Sequence, residues 1–180
     1  CAPRDLPGFA NSAMDGFALR AEDLAAGAAS RLRVRSILLA GGAPVAPVAA
    51  GECVRIMTGA AVPAGADTVV VLENSVPDGI DYVRIQPGTA RGANIRPADD
   101  DMTAGALAVA AGARLDAANL GVLASFGLER VAVRRQPRVG VLVTGDELRA
   151  VGTPLGFGQR YDSNRVMLQA LLAAHGALAA

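Results

Sequence analysis

Lysine is missing altogether, so all 17 basic residues of this chain are arginines. That excludes a phosphate-gripping loop lysine and any lysine Schiff base within it. Histidine occurs once, at His175, and cysteine twice, at Cys1 and Cys53. A single imidazole leaves Ser-His and Cys-His nucleophile arrangements poorly supported. The two cysteines form neither metal-ligand spacing nor a disulfide framework, and a reducing, cytoplasmic compartment fits them. Charge of one sign is lacking too: 17 basic and 17 acidic residues cancel, so no global field favours nucleic acid or an anionic membrane. No apolar run reaches the length of a membrane span. The opening residues, Cys-Ala-Pro-Arg-Asp-Leu-Pro, lack the hydrophobic segment of a signal peptide.

What is present suffices for a core: 52% of 180 residues are hydrophobic, enough for one large domain or two small ones. The chain starts without Met and stops at the apolar Ala180, and we expect a fragment of something longer. The stretch Val54 to Glu73, VRIMTGAAVPAGADTVVVLE, organises the rest. Val54 to Met57 reads as the end of a strand and Thr68 to Leu72 as a buried β-branched strand. The small residues between them carry one hydroxyl, Thr58, at their mouth. Gly59 permits positive φ, and small neighbours let backbone N–H groups face outward. Arg55 adds a charge that is always on. A plain hairpin loop is the simpler reading of these residues, and a loop that meets an anion or a metal-bound water is the other.

Upstream, Asn11 to Ala18 surrounds Asp15 with polar and small residues. Met14 and Phe17 could partly desolvate that acid, or the segment is a capped turn. Alternation of Leu32, Val34, Ser36 and Leu38 with Arg33, Arg35 and Ile37 predicts a half-buried strand over 31–38. After Pro77-Asp78-Gly79 a second alternating strand covers Tyr82 to Ile85. Together these segments predict a small antiparallel β domain. Asp99, Asp100 and Asp101 repel one another unless solvent, a cation or Arg96 compensates. A solvated loop is the simpler case, and a hard cation such as magnesium suits such carboxylates.

Residues 115–127 predict a structural helix with Asp116 as N-cap and Gly127 as terminator. Val131 to Val133 reads as a short strand and Arg134 to Pro137 as a linker. The apolar run Val139 to Val143 predicts a parallel strand buried on both faces. A helix capped by Asp162 or Ser163 runs to about Ala174, with Gly176 closing it and His175 at the surface. A second strand from Ala177 would complete the opening of an α/β domain. Ligands of such sheets bind beyond the carboxyl ends of strands, where Thr144, Asp146 and Glu147 stand.

Four stretches, NSAMDGFA (11–18), VRIMTGAAVPAGADTVV (54–70), NIRPADDDM (94–102) and VGVLVTGDEL (139–148), together resemble the molybdopterin molybdenumtransferases. That family includes the bacterial MoeA proteins and the E domain of gephyrin, and order and spacing agree along essentially the whole chain. YDSNR (161–165) is similar to the segment opening the first helix of the family's α/β domain. The resemblance implies an enzyme that joins adenylated molybdopterin to molybdate, releasing AMP and the finished molybdenum cofactor, with magnesium required. It implies a cytoplasmic homodimer whose clefts lie between the β-rich domain of one subunit and the α/β domain of the other. The adenylyltransferase of the same pathway is an expected partner.

By motif match the catalytic positions fall on Asp15, Thr58, Asp101 and Glu147. Arg55, Arg96, Thr144, Asp146 and Ser163 are assigned to the cofactor, and Asp100, Asp101 and Glu147 to the metal. Where the family often has an Arg-rich stretch and Glu-Asp, this chain has Pro97-Ala98-Asp99-Asp100-Asp101, and the downstream Thr103-Ala104-Gly105 aligns Asp101 with the cleft. The implied fold class is α+β and multidomain: a β-rich lobe, a helical linking region and the start of a three-layer α/β domain. Residues 1–27 and 95–136 would link, 28–94 form the β-rich domain and 137–180 open the α/β domain. The family's glycine-rich and Lys-bearing loops lie downstream, so this chain alone is expected to be inactive. A gephyrin-like scaffold and the related adenylyltransferase are the rival readings. No acid is missing at the family positions, which counts against the scaffold, and the NSAMDG and MTGA segments count against the adenylyltransferase.

Overall fold

A computed structural model describes residues 1–179, and the chain divides into two compact units, 1–129 and 130–180. In the first unit the strands are β1 (Asn11–Ser12), β2 (Gly16–Leu19), β3 (Ser30–Leu38), β4 (Glu52–Ile56), β5 (Thr68–Val71), β6 (Ser75–Pro77), β7 (Tyr82–Ile85) and β8 (Ile95–Arg96). One helix, α1 (Ala117–Ser125), follows. Six strands form one sheet in the order β5-β2-β4-β3-β7-β6, and β1 pairs with β8. The period of two in β3 is kept: Ser30, Leu32 and Leu38 are buried, while Arg31, Arg33, Arg35 and Ile37 face water.

The central strands bury both faces. Phe17, Leu19, Cys53 and Val70 enter one core cluster with Leu32, Val83 and Ile85. Their neighbours Ala18, Val54, Ile56 and Val69 enter the other. Alternate residues of one strand thus serve opposite cores. Burial, with the charge of Glu52 second, pushes the Cys53 thiol up to about 12.

Two expectations fail here. The sheet is not wholly antiparallel, because β3 and β4 run parallel, with a register shift between Val34 and Ile37. Residues 39–51 make the long connection that a parallel pair needs, and their Val48 is buried in the second cluster. The hairpin reading of Val54 to Glu73 is overturned as well. β4 and β5 do not pair; β2 lies between them, antiparallel to both. The residues 1–27 expected to link domains therefore supply an interior strand of the sheet. In α1 the expected caps are present: Asp116 Oδ1 accepts from the Asn119 N–H at 2.9 Å, and Gly127 has φ 77°.

The second unit contains β9 (Arg138–Val139), β10 (Leu148–Arg149), β11 (Arg160–Tyr161), α2 (Ser163–Ala174) and β12 (Leu178–Ala179). β12 pairs in parallel with β9, so strand, helix and strand follow in the expected order. Asp162 is the cap of α2, its Oδ1 accepting from the Arg165 N–H at 3.0 Å. Val131 to Val133 forms no strand, which corrects that expectation. The run Val139 to Val143 is corrected too: only Arg138–Val139 joins a ladder, and Leu142 is 88% exposed. β9 has β12 as its single strand neighbour among the described residues, and of the run beyond it Val141 and Val143 are half-buried while Leu142 faces water.

Gly16 is where the sheet tolerates no side chain. A Cβ there would stand 2.1 Å from the Val70 carbonyl oxygen, whereas one at Gly121 in α1 would meet nothing within 4 Å. Chemical denaturation should show Gly16→Ala destabilised by roughly 3 kcal/mol, the upper end of overpacking. Gly121→Ala should be neutral or more stable by about 1 kcal/mol, the helix-propensity gain. Equal stabilities for the two variants would contradict the interior position of β2.

Candidate functional site

Gly16, the first residue of β2, lies opposite Ile56, the last of β4. The residue before β2 therefore meets those that follow β4, and this brings Asp15 to Thr58. Asp15 Oδ1 accepts from the Thr58 N–H and from the Thr58 Oγ1, each at 2.7 Å. The bond from the Thr58 backbone, then that from its hydroxyl, holds the carboxyl below the usual aspartate range. The Arg55 charge acts in the same direction and desolvation opposes it. Desolvation by Met14 and Phe17 is thus not what sets this acid: Asp15 and Met14 are exposed, and Phe17 points into the core. Arg55 sits on β4 between Phe17 and Ile37, half-buried, and its Nε is buried without a hydrogen-bond partner.

A second charged group gathers on β8. Arg96 Nε donates to Asp100 Oδ2 and its Nη2 to Asp101 Oδ1, both at 2.7 Å. The bond to Asp100, then the charge of Asp101, raises the Arg96 pKa. The Asp101 N–H donates to the Leu6 carbonyl, which pins the acidic turn to the start of the chain. Between the two groups runs β1, where Asn11 pairs with Arg96 on one side and bridges to Ala61 on the other. Sequence reasoning took Ser12 for a turn former only and gave Asn94 no role. Asn94 has φ 57°, donates from Nδ2 to the Val69 carbonyl at 2.8 Å and accepts from the Ala13 N–H. An asparagine two residues after Gly92, in a run of small residues, was the available signal.

In the second unit, the Leu148 N–H donates to the Gly145 carbonyl, closing a turn that holds Asp146 and Glu147 just beyond Thr144. The Glu147 carboxylate folds over Gly145, so close that a Cβ on Gly145 would lie 2.8 Å from Oε2. Ser163 opens α2. A cavity of about 500 Å³ lies here, with Gly145, Arg149, Asp162 and Arg165 in its wall. Arg149 and Arg165 went unnoticed in the sequence. The pairing of Arg165 Nε with Asp162 Oδ2 at 2.8 Å follows from their spacing of three on one helical turn.

The acids assigned to a metal are divided: Asp100 and Asp101 are gripped by Arg96, and Glu147 belongs to the other unit. Among the described residues no group of three or more His, Cys, Asp or Glu is arranged to hold a metal ion. Asp100 and Asp101 nonetheless present hard oxygen donors, one oxygen of each outside the grip of Arg96. That suits magnesium, which keeps waters and takes few protein carboxylates. Among the described residues no helix is long and apolar enough to cross a membrane.

Residues 1–127 match the family described as the MoeA N-terminal region (domain I and II). Molybdopterin molybdenumtransferase 2 of Mycobacterium tuberculosis is 40% identical over 179 residues, covering 98% of this chain and 44% of the relative. The molybdopterin molybdenumtransferase of Haemophilus influenzae is 39% identical over 171 residues, covering 95% and 42%. Two crystal structures of the Pyrococcus horikoshii molybdopterin biosynthesis MoeA protein share the fold. Their TM-scores are 0.89 at 28% identity and 0.84 at 31% identity, each over 99% of this chain and less than half of theirs. The chain spans under half the length of the relatives it matches.

The hydrogen bonds from Thr58 lower the folded-state pKa of Asp15, so their stabilisation is present above the unfolded-state value. It is lost as pH falls through the lowered folded value. NMR titration of the Asp15 carboxyl carbon should place its midpoint below that of a free aspartate. Thr58→Val should return it only part of the way, because the backbone N–H remains. A Thr58→Val midpoint identical to that of the unaltered chain would show that the hydroxyl does not hold Asp15.

Proposed function

The chain belongs to the MoeA N-terminal region family, and from that premise we propose that it forms the first part of a molybdenum insertase of molybdenum cofactor biosynthesis. The whole protein joins adenylated molybdopterin to molybdate and releases AMP. The observation that carries this reading is the double hydrogen bond from Thr58 to Asp15, beside Arg55 and across β1 from Arg96, Asp100 and Asp101. Cleaving a phosphoanhydride calls for fixed carboxylates, cations that meet phosphate oxygens and a positioned oxygen nucleophile, and it needs no covalent enzyme intermediate. A chain with one histidine and two cysteines suits that chemistry.

Asp15, held ionised and oriented by Thr58, orients the attacking oxygen, while Arg55 and Arg96 grip anionic substrate atoms. Asp101, with Asp100, would hold magnesium, and Glu147 is a further candidate ligand within its own unit. Bound there, magnesium supplies neutralisation of charge on the phosphoanhydride. Thr144, Asp146 and Ser163 contact the pterin-bearing substrate. Residues 137–180 open the α/β domain of the longer protein, which works as a cytoplasmic homodimer supplied by the adenylyltransferase of the pathway.

In the longer protein, Asp15→Asn and Asp101→Asn should each slow molybdate-dependent AMP release by about 100-fold, typical for loss of one electrostatic element. Circular dichroism and denaturation midpoints should stay near those of the unaltered protein. The 180-residue chain alone should release no AMP. Unaltered rates and magnesium dependence in both variants would overturn the assigned roles.

A further inference from the structure

We propose that Ser12 is a positioning residue, whose hydroxyl fixes the turn carrying Asp15 so that one short strand sets the spacing between the Asp15–Thr58 pair and the Arg96 group. The proposal rests on the functional reading above and deepens it. Ser12 is 1% exposed, yet none of its polar atoms is wasted. Its N–H donates to the Ala60 carbonyl at 2.9 Å, and its carbonyl accepts from the Gly59 N–H at 2.8 Å. Both partners lie within two residues of Thr58. Val62 extends the ladder by donating to the Ala10 carbonyl. On its other edge β1 pairs with β8, Ser12 opposite Ile95 and Asn11 opposite Arg96. Three short segments thus lie side by side, with Ser12 in the middle one. Thr58 adjoins one outer segment and Arg96 lies in the other.

Backbone pairing fixes the strand but not the turn beyond it. The turn is fixed by the side chain: Ser12 Oγ donates to the Met14 carbonyl at 2.6 Å and accepts from the Met14 N–H at 3.4 Å. That closes a serine turn one residue before Asp15. Beyond Asp15 the chain is held again, because the Asp15 carbonyl accepts from the Leu72 N–H. The carboxylate is therefore delivered to Thr58 by a segment clamped on both sides. Removing the hydroxyl leaves the ladder to residues 59–62 and to β8 in place, so the fold survives while the turn gains freedom. A displacement near 1 Å is enough to cost a large rate factor in a positioned site.

The test uses Ser12→Ala with Ser75→Ala as control, since Ser75 Oγ makes a similar local bond to the Leu72 carbonyl at 2.7 Å. NMR titration of the chain should move the Asp15 midpoint toward that of a free aspartate in Ser12→Ala and leave it in place in Ser75→Ala. In the longer protein, Ser12→Ala should lower kcat by about tenfold with KM within about twofold, a split expected for lost positioning. Should Ser12→Ala fail to fold, Ser12→Cys keeps the shape with a weaker donor and replaces it in both measurements. An unmoved Asp15 midpoint, or an equal movement in Ser75→Ala, overturns the proposal. If the unaltered longer protein releases no AMP with molybdate, the functional reading fails instead, and the titration still reports whether Ser12 places Asp15.

Discussion

The insertion of β2 between β4 and β5 is the constraint on which the rest of the first unit depends. Four residues, Gly16 to Leu19, hydrogen-bond on both edges and pack on both faces. The strand can lie so close to β5 only because Gly16 has no side chain to strike the Val70 carbonyl. Antiparallel pairing with β4 puts the entry to β2 beside the exit from β4, and Asp15 meets Thr58 for that reason. Since β4 and β5 both run against β2, the chain between them must travel back along the sheet. Residues 58–62 make that return beside β1.

Charge in this chain is handled by geometry more than by burial. Asp15 accepts from a backbone N–H and a hydroxyl, and Asp67 accepts from the Ala21 N–H while pairing with Arg91. Asp78 sits between Arg31 and Arg84, and the Arg31 guanidinium lies 3.6 Å from the centroid of the Tyr82 ring. The arginines of these pairs are exposed and Asp67 and Asp78 half-buried, so such pairs contribute little to stability. Their effect is placement: an arginine fork holds two acids at fixed angles, as Arg96 does for Asp100 and Asp101. Groups held this way are fixed by the fold itself, and the proposed stabilisation of a reacting anion would require that.

The second unit shows what local signals achieve without a core. α2 has its cap at Asp162 and its terminating Gly176, and β9 and β12 find each other in parallel. Yet no residue between 130 and 179 is buried, and apolar side chains such as Leu142, Met167 and Leu171 remain exposed. Helix caps act within one turn of chain and need no partner. Burial of a hydrophobic run needs neighbours on both faces, and the described residues supply one strand.

By itself the sequence determined the strands of β3, β4, β5 and β7 and both helices with their caps, and it singled out Asp15, Arg55, Arg96, Asp100 and Asp101 as candidates. Those features rest on periodicity, turn chemistry and residue type, all of which are local. It also carried the resemblance that the family match shows. Only the tertiary structure decided that β2 divides β4 from β5, that β3 and β4 run parallel, and that Arg96 grips two acids together. The same holds for Ser12, an ordinary turn former in sequence that becomes a fully paired residue between two charged groups. Strand order depends on which distant segments share an edge once both cores are filled. Residues 15 and 58 are far apart along the chain, and no local pattern encodes the strand that brings them together.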